Sequence, residues 1–268
     1  MQKHKRIVVK IGTKVITSKD GMLDKGRLRE LVRQMARIKS NGPEVILVTS
    51  GAIGTGMGLL GIKKRPVKLP ELQAAAAIGQ SHLMHFYSKY FHMRRYRVGQ
   101  ILLTREDFND RKRYSNIKST IQTLLKHKVV PIINENDTVS TEEIKFGDND
   151  HLALLVGKLC GADKLVLLTD VDGLLDENCG VISVIEKITP KILRLGRSSK
   201  CELGTGGMVT KLLSVKGAAE SGVECVIANG KSKDVLIKIL DGKMIGSTFR
   251  AMPSCHCRES GNPLRKTV

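Results

Sequence analysis

The feature that most limits the fold of this chain is a series of short, largely apolar runs, each separated from the next by a longer amphipathic stretch. Ile7-Val8-Val9, Val45-Ile46-Leu47-Val48, residues 129–133, Leu165-Val166-Leu167-Leu168 and residues 223–228 contain hardly any polar side chain. Strands in the middle of a parallel sheet read this way, because neither face of the pleat meets water. Between them, Leu28, Leu31, Val32 and Met35 recur at helical spacing, and Asn41-Gly42-Pro43 stops that helix. Pro70 opens a long helix through Ala74 towards Phe91, residues 98–103 predict another strand, and Ile117, Ile121, Leu124 and Leu125 another helix. Residues 151–160 and 208–221 predict two more helices, the second ending at Gly222. Such alternation predicts βαβ units and a mostly parallel sheet covered by helices on both faces. No repeat or linker interrupts the pattern, so one domain is expected over residues 1–250, with residues 251–268 a loosely held tail.

Composition removes several functional classes. The 268 residues are 41% hydrophobic, which suits a folded core. No run approaches the roughly 18 apolar residues of a membrane span. The apolar start at Ile7 is too short for a secretion signal, so a cytoplasmic protein without membrane attachment is expected. Cys160, Cys179, Cys201 and Cys225 show neither zinc-finger nor C-x-x-C spacing and are expected as reduced thiols. Cys255-His256-Cys257 lacks a second ligand cluster to close a tetrahedral metal site. The net charge of +19 is carried by small groups such as Lys63-Lys64-Arg65 and Arg111-Lys112-Arg113, and the chain has no Trp for base stacking. Nucleic acid is therefore not the expected partner, although a non-catalytic nucleic-acid-binding protein is the alternative this charge raises.

Ligands of open α/β sheets bind beyond the carboxyl ends of the strands. Small and polar residues collect there: Lys10-Ile11-Gly12-Thr13, Thr49-Ser50-Gly51-Ala52-Ile53-Gly54, Asn134-Glu135-Asn136-Asp137 and Thr169-Asp170. Gly147-Asp148-Asn149-Asp150 and Gly204-Thr205-Gly206-Gly207 stand just before helices, the latter one turn ahead of Lys211. Each has a structural reading as well. Glycines serve turns, Ser50 and Thr205 cap helices, and Asp148 and Asp150 favour a helix start through its dipole. Their coincidence at one sheet edge points instead to a ligand. A glycine-rich loop opening a helix exposes N–H groups to phosphate. A lysine such as Lys10, at the end of a buried strand, needs an anion to face. Two lysines on one phosphate chain offset charge during phosphoryl transfer.

Two familiar phosphate motifs do not apply. The glycines at 21 and 26 have Walker A spacing, but Arg27 stands for the lysine and no hydroxyl residue follows. Gly56-Met57-Gly58-Leu59-Leu60-Gly61 matches the dinucleotide fingerprint by letter only, because no strand leads directly into it.

Taken together, these loops resemble the amino acid kinase family over roughly residues 6 to 249, in its glutamate-phosphorylating branch. The paired Asn-Glu-Asn-Asp and Gly-Asp-Asn-Asp motifs separate that branch from members acting on carbamate, aspartate or UMP, and Gly99-Gln100-Ile101-Leu102-Leu103-Thr104-Arg105 is similar to it too. The resemblance implies a three-layer αβα sandwich with a mostly parallel central sheet, and transfer of phosphoryl from ATP to the side-chain carboxylate of L-glutamate as the first step of proline synthesis. Lys10 and Lys211 would be catalytic, with Asp150 orienting them. Ser50, Asp137 and Asn149 would hold glutamate. Lys10, Thr169, Asp170, Thr205, Gly206, Gly207, Met208, Val209, Thr210 and Lys211 would hold ATP, with Mg²⁺ on its phosphates and no protein metal ligands. The resemblance further implies a dimer or tetramer of identical chains, and hand-off of the labile product to glutamyl-phosphate reductase. Another acceptor within the family remains the enzymatic alternative.

The reaction accounts for the lack of a recurrent histidine. A glutamate side chain has an unperturbed pKa of about 4.3, so it arrives ionised and needs no general base. The task is to bring two anions together. Three departures from the family pattern stand out. The expectation is a short form without the C-terminal domain that many members carry. Leu175-Asp176-Glu177-Asn178-Cys179-Gly180 is shorter than the usual segment and lacks its Tyr and Asp-Pro. Lys14 replaces a small hydroxyl residue beside the phosphates.

Overall fold

The computed structural model describes residues 4–18, 22–139, 149–197 and 207–252. Along the chain run β1 (Arg6–Ile11), α1 (Thr13–Ile16), α2 (Lys25–Ser40), β2 (Glu44–Thr49), α3 (Ala52–Leu59), α4 (Leu69–His92), β3 (Val98–Leu103) and a 3-10 turn (Arg105–Phe108). There follow α5 (Arg111–Lys126), β4 (Val130–Glu135), α6 (Asp150–Cys160), β5 (Lys164–Thr169), β6 (Val184–Ile185), α7 (Pro190–Leu195), α8 (Gly207–Ala219), β7 (Glu224–Asn229), α9 (Val235–Leu240) and β8 (Ser247–Phe249). The strands form one eight-stranded sheet in the order β3-β4-β2-β1-β5-β7-β8-β6. All pairs are parallel except β7 with β8, whose antiparallel return reverses the far edge.

Alternation along the strands divides the core in two. Val9, Leu47, Ile132, Val166 and Val226 face one layer with side chains of α2, α4 and α9. Val8, Ile46, Ile133, Leu165 and Ile227 face the other with those of α5, α6 and α8. The sandwich expected from the sequence is thus present, with both sheet faces dry. Helix starts are set locally: Asp24 and Asp110 accept from the backbone N–H of Arg27 and Arg113, at 2.8 and 2.7 Å. The sequence pattern did not foresee α1, α3, α7 and α9 or the short strands β6 and β8, which are too brief to show a period. No helix among the described residues is long and apolar enough to cross a membrane.

The order in which strands are added reverses beside β1, which pairs with β2 on one side and β5 on the other. This is the switch point at which open sheets leave a crevice. Beside it, α3 crosses α4 at backbone contact. A Cβ on Gly56 would lie 1.8 Å from the carbonyl oxygen of Ala75, and one on Gly79 1.8 Å from that of Ala52. The Gly56-to-Gly61 segment is therefore the end of a packed helix and has no strand feeding it.

Cys160 and Cys225 are buried free thiols, and burial pushes Cys160 up to about 12 and Cys225 further. The tail from residue 253 onward lies outside the described residues.

Gly79→Ala is expected to force α3 off α4 and to lower stability by about 2 kcal/mol or more, the scale of overpacking in a tight contact. The urea midpoint measures this, and an unchanged midpoint would refute the contact.

Candidate active site

Strand parity sets the first functional residue. Lys10 lies on the same face of β1 as Val8, towards the layer that holds α6 and α8. There it is 3% exposed, a position that a lysine rarely occupies without a partner. Its Nζ is 2.6 Å from Oδ1 of Asp150, the first residue of α6. The other oxygen of Asp150 is 2.8 Å from Nζ of Lys211 in α8. One carboxylate, 2% exposed as a side chain, thus joins two ammonium groups from different elements. Two positive charges held together need such a counter-charge; with it the trio carries one net positive charge for an incoming anion.

Glycine leaves that charge accessible. A Cβ on Gly12 would lie 3.9 Å from Lys10 Nζ, and one on Gly207 would lie 4.0 Å from Lys211 Nζ. Each ammonium therefore has a flank without a side chain. Gly207, Met208, Val209 and Thr210 form the first turn of α8 ahead of Lys211. The expected ligand residues Thr205 and Gly206, and the motif residues Gly147 and Asp148, lie outside the described residues.

Thr169 and Asp170 end β5 next to β1, as the sequence suggested. Thr169 donates to Asp170 Oδ1 at 3.2 Å, and Lys14 Nζ reaches Asp170 Oδ2 at 3.0 Å. Burial alone would raise the Asp170 carboxyl, but the Lys14 hydrogen bond and charge outweigh it and hold the group below its ordinary value. Lys14 is thus tied to the expected nucleotide side.

On the other side of β1, a pocket of about 80 Å³ is lined by Ser50, Asp137 and Asn149 together with Thr13, Arg65, Asn134 and Glu135. The three residues expected to hold an acceptor are brought together. Gly51 has φ of +96° and starts α3 by a left-handed turn, so that residues 51–54 form the pocket wall. Ser50 is 5% exposed, and its Oγ has no hydrogen-bond partner. A buried hydroxyl of this kind is costly unless a ligand completes it. Asn149 caps α6 and donates to Thr49 O at 2.5 Å and to Asn134 Oδ1 at 2.6 Å. Because Asn149 precedes Asp150, the pocket and the lysine pair are one residue apart in the chain.

Sequence reasoning missed Gln80 and Tyr87. Gln80 Oε1 accepts from Asn134 Nδ2 at 2.7 Å, and the Tyr87 hydroxyl is 2.8 Å from Thr49 Oγ1. The available signal was polar groups, Gln80 and Tyr87 among them, on the buried face of a largely apolar helix.

Two lysines on one buried carboxylate, at the switch point of a mostly parallel sheet, form a cationic site suited to phosphate. The model of the amino acid kinase family matches residues 5–229, and the chain belongs to that family. Within it, the chain is 49% identical over 253 residues to the glutamate 5-kinase of Caldanaerobacter subterraneus subsp. tengcongensis, covering 92% of this chain and 68% of that protein. It is 43% identical over 254 residues to the glutamate 5-kinase of Clostridium tetani, covering 92% of this chain and 95% of that protein. Among solved structures, N-acetylglutamate synthase from Neisseria gonorrhoeae, complexed with coenzyme A and N-acetyl-glutamate, aligns with a TM-score of 0.66 at 14% identity. The alignment covers 93% of this chain and 60% of that one, and at this identity it shows the fold alone.

Asp150→Asn keeps the shape and removes the counter-charge of both lysines. It is expected to cost about 3–5 kcal/mol by chemical denaturation, as for a broken buried pair. Lys211→Met, whose parent side chain is the more exposed of the two lysines (13% against 4%), is expected to cost less.

Proposed function

We propose that this kinase transfers the γ-phosphoryl group of ATP to the side-chain carboxylate of L-glutamate, giving ADP and L-glutamyl 5-phosphate, the first step of proline synthesis. The observation that carries the reading is the Lys10–Asp150–Lys211 trio beside the Ser50–Asp137–Asn149 pocket. Glutamate sits in the pocket, with its ammonium group towards Asp137 and Asn149 and Ser50 Oγ as a hydrogen-bond donor to a carboxylate. Its ionised side chain faces the lysines. A carboxylate oxygen forms the new bond to the γ-phosphorus while the bond to the β,γ-bridging oxygen breaks and the electron pair leaves with ADP. No proton moves, so no general base is needed.

Lys10 and Lys211 stabilise the charge that spreads over the transferred group, and Asp150 keeps their ammonium groups aimed at one place. Thr169, Asp170 and the start of α8 take the nucleotide, with Thr205 and Gly206 completing that side. Magnesium fits the site as an ion carried by nucleotide phosphates. Among the described residues no group of three or more His, Cys, Asp or Glu could hold it, and this ion keeps water and phosphate ligands readily. When bound, it supplies neutralisation of the β and γ oxygens.

The same reading extends to a cytoplasmic homo-oligomer, dimer or tetramer, and to passage of the labile acyl phosphate to glutamyl-phosphate reductase.

Purified protein given ATP, Mg²⁺, glutamate and hydroxylamine is expected to form γ-glutamyl hydroxamate. Turnover of aspartate, N-acetylglutamate or UMP without glutamate would sink the reading. Lys211→Ala is expected to lower kcat by about a hundredfold or more with little change in Tm, since the removed charge acts on the transition state.

A further inference from the structure

Helix α4 contributes nothing to the lysine trio, yet two of its buried polar groups reach the sheet edge. Gln80 and Tyr87 are seven residues apart, two turns along one face. Gln80 Oε1 accepts from Asn134 Nδ2 at the end of β4. Thr49 Oγ1 donates to Ser50 O at 3.2 Å, so the Tyr87 hydroxyl donates to Thr49 Oγ1 at the end of β2. Burial pushes the Tyr87 phenol up, which keeps it a neutral donor.

Asn149 bridges the two strand ends held in this way. One N–H of its amide goes to Thr49 O and the other to Asn134 Oδ1. Asn134 Oδ1 also accepts from the backbone N–H of Glu135 at 3.0 Å, which fixes it as the oxygen end of its amide. Both hydrogens of Asn149 are therefore used within the protein, and Oδ1 is its end for a ligand. The carboxylates of Glu135 and Asp137 line the same pocket, together with the Arg65 guanidinium.

We propose that Gln80 and Tyr87 are positioning residues of the acceptor pocket. They hold the ends of β4 and β2 at the spacing that Asn149 spans, so that its amide offers oxygen to the acceptor's ammonium group. This rests on the glutamate kinase reading.

Gln80→Met keeps the volume and removes the acceptor for Asn134. The KM for glutamate is expected to rise about tenfold or more, with the KM for ATP within about threefold of the parent, the scale of one lost buried hydrogen bond. Tyr87→Phe keeps the ring and removes the hydroxyl that donates to Thr49 Oγ1, and is expected to raise the KM for glutamate about fivefold or more while the KM for ATP stays within about twofold. In an Asn149→Ala background the Gln80→Met effect is expected to vanish, because residues acting through one another are not additive. Equal rises in the two KM values, no rise at all, or an undiminished effect in the Asn149→Ala background would overturn the proposal. If Gln80→Met does not fold, Tyr87→Phe decides: a KM for glutamate raised about fivefold with the KM for ATP unchanged supports it, and an unchanged KM for glutamate overturns it. Failure of the functional reading shows separately, as parent enzyme that does not turn over glutamate.

Discussion

The contact on which the rest of the site depends is one carboxylate between two ammonium groups. Lys10 comes from the central strand, Lys211 from α8, and Asp150 from the first turn of α6. Without Asp150 the two lysines would lose the carboxylate that both of them face. With Asp150 they form a rigid cationic pair whose orientation is set before any ligand binds. Preorganised charge of this kind acts without reorganisation at the moment of transfer.

The sheet explains how three distant segments meet. The strand order places β1 at the switch point, with β2 and β4 to one side and β5 to the other. The proposed acceptor residues therefore gather at the β2–β4 ends and the proposed nucleotide residues at the β5 end, with Lys10 between them. Asn149 and Asp150 are adjacent, yet one faces the pocket and the other the lysines. A single helix start so links recognition to charge.

Much of this was legible in the sequence. The apolar runs gave the strands because burial on both faces removes polar residues, and Lys10 stood out as a cation where such a run should stay apolar. The loops around Ser50, Asp137 and Asn149 were found through their motifs. Gln80 and Tyr87 were not, because a polar residue on a helix shows its burial only once the partner strands are in place. The short elements β6, β8 and α9 carry too few residues to show a period, and only their packing reveals them.

The division of the core into two layers has a consequence for how such an enzyme can change. The lysine-bearing helix α8 and the Asp150 helix α6 pack on one face of the sheet, whereas α4, with Gln80, Tyr87 and its contact to the pocket-wall helix α3, packs on the other. The sheet acts as a septum between the chemistry and the support of the acceptor pocket. Substitutions that reshape the α3–α4 layer can alter which carboxylate is admitted while the phosphoryl-transfer apparatus on the opposite face keeps its packing. A common catalytic half and a variable recognition half can thus coexist on the two faces of one sheet.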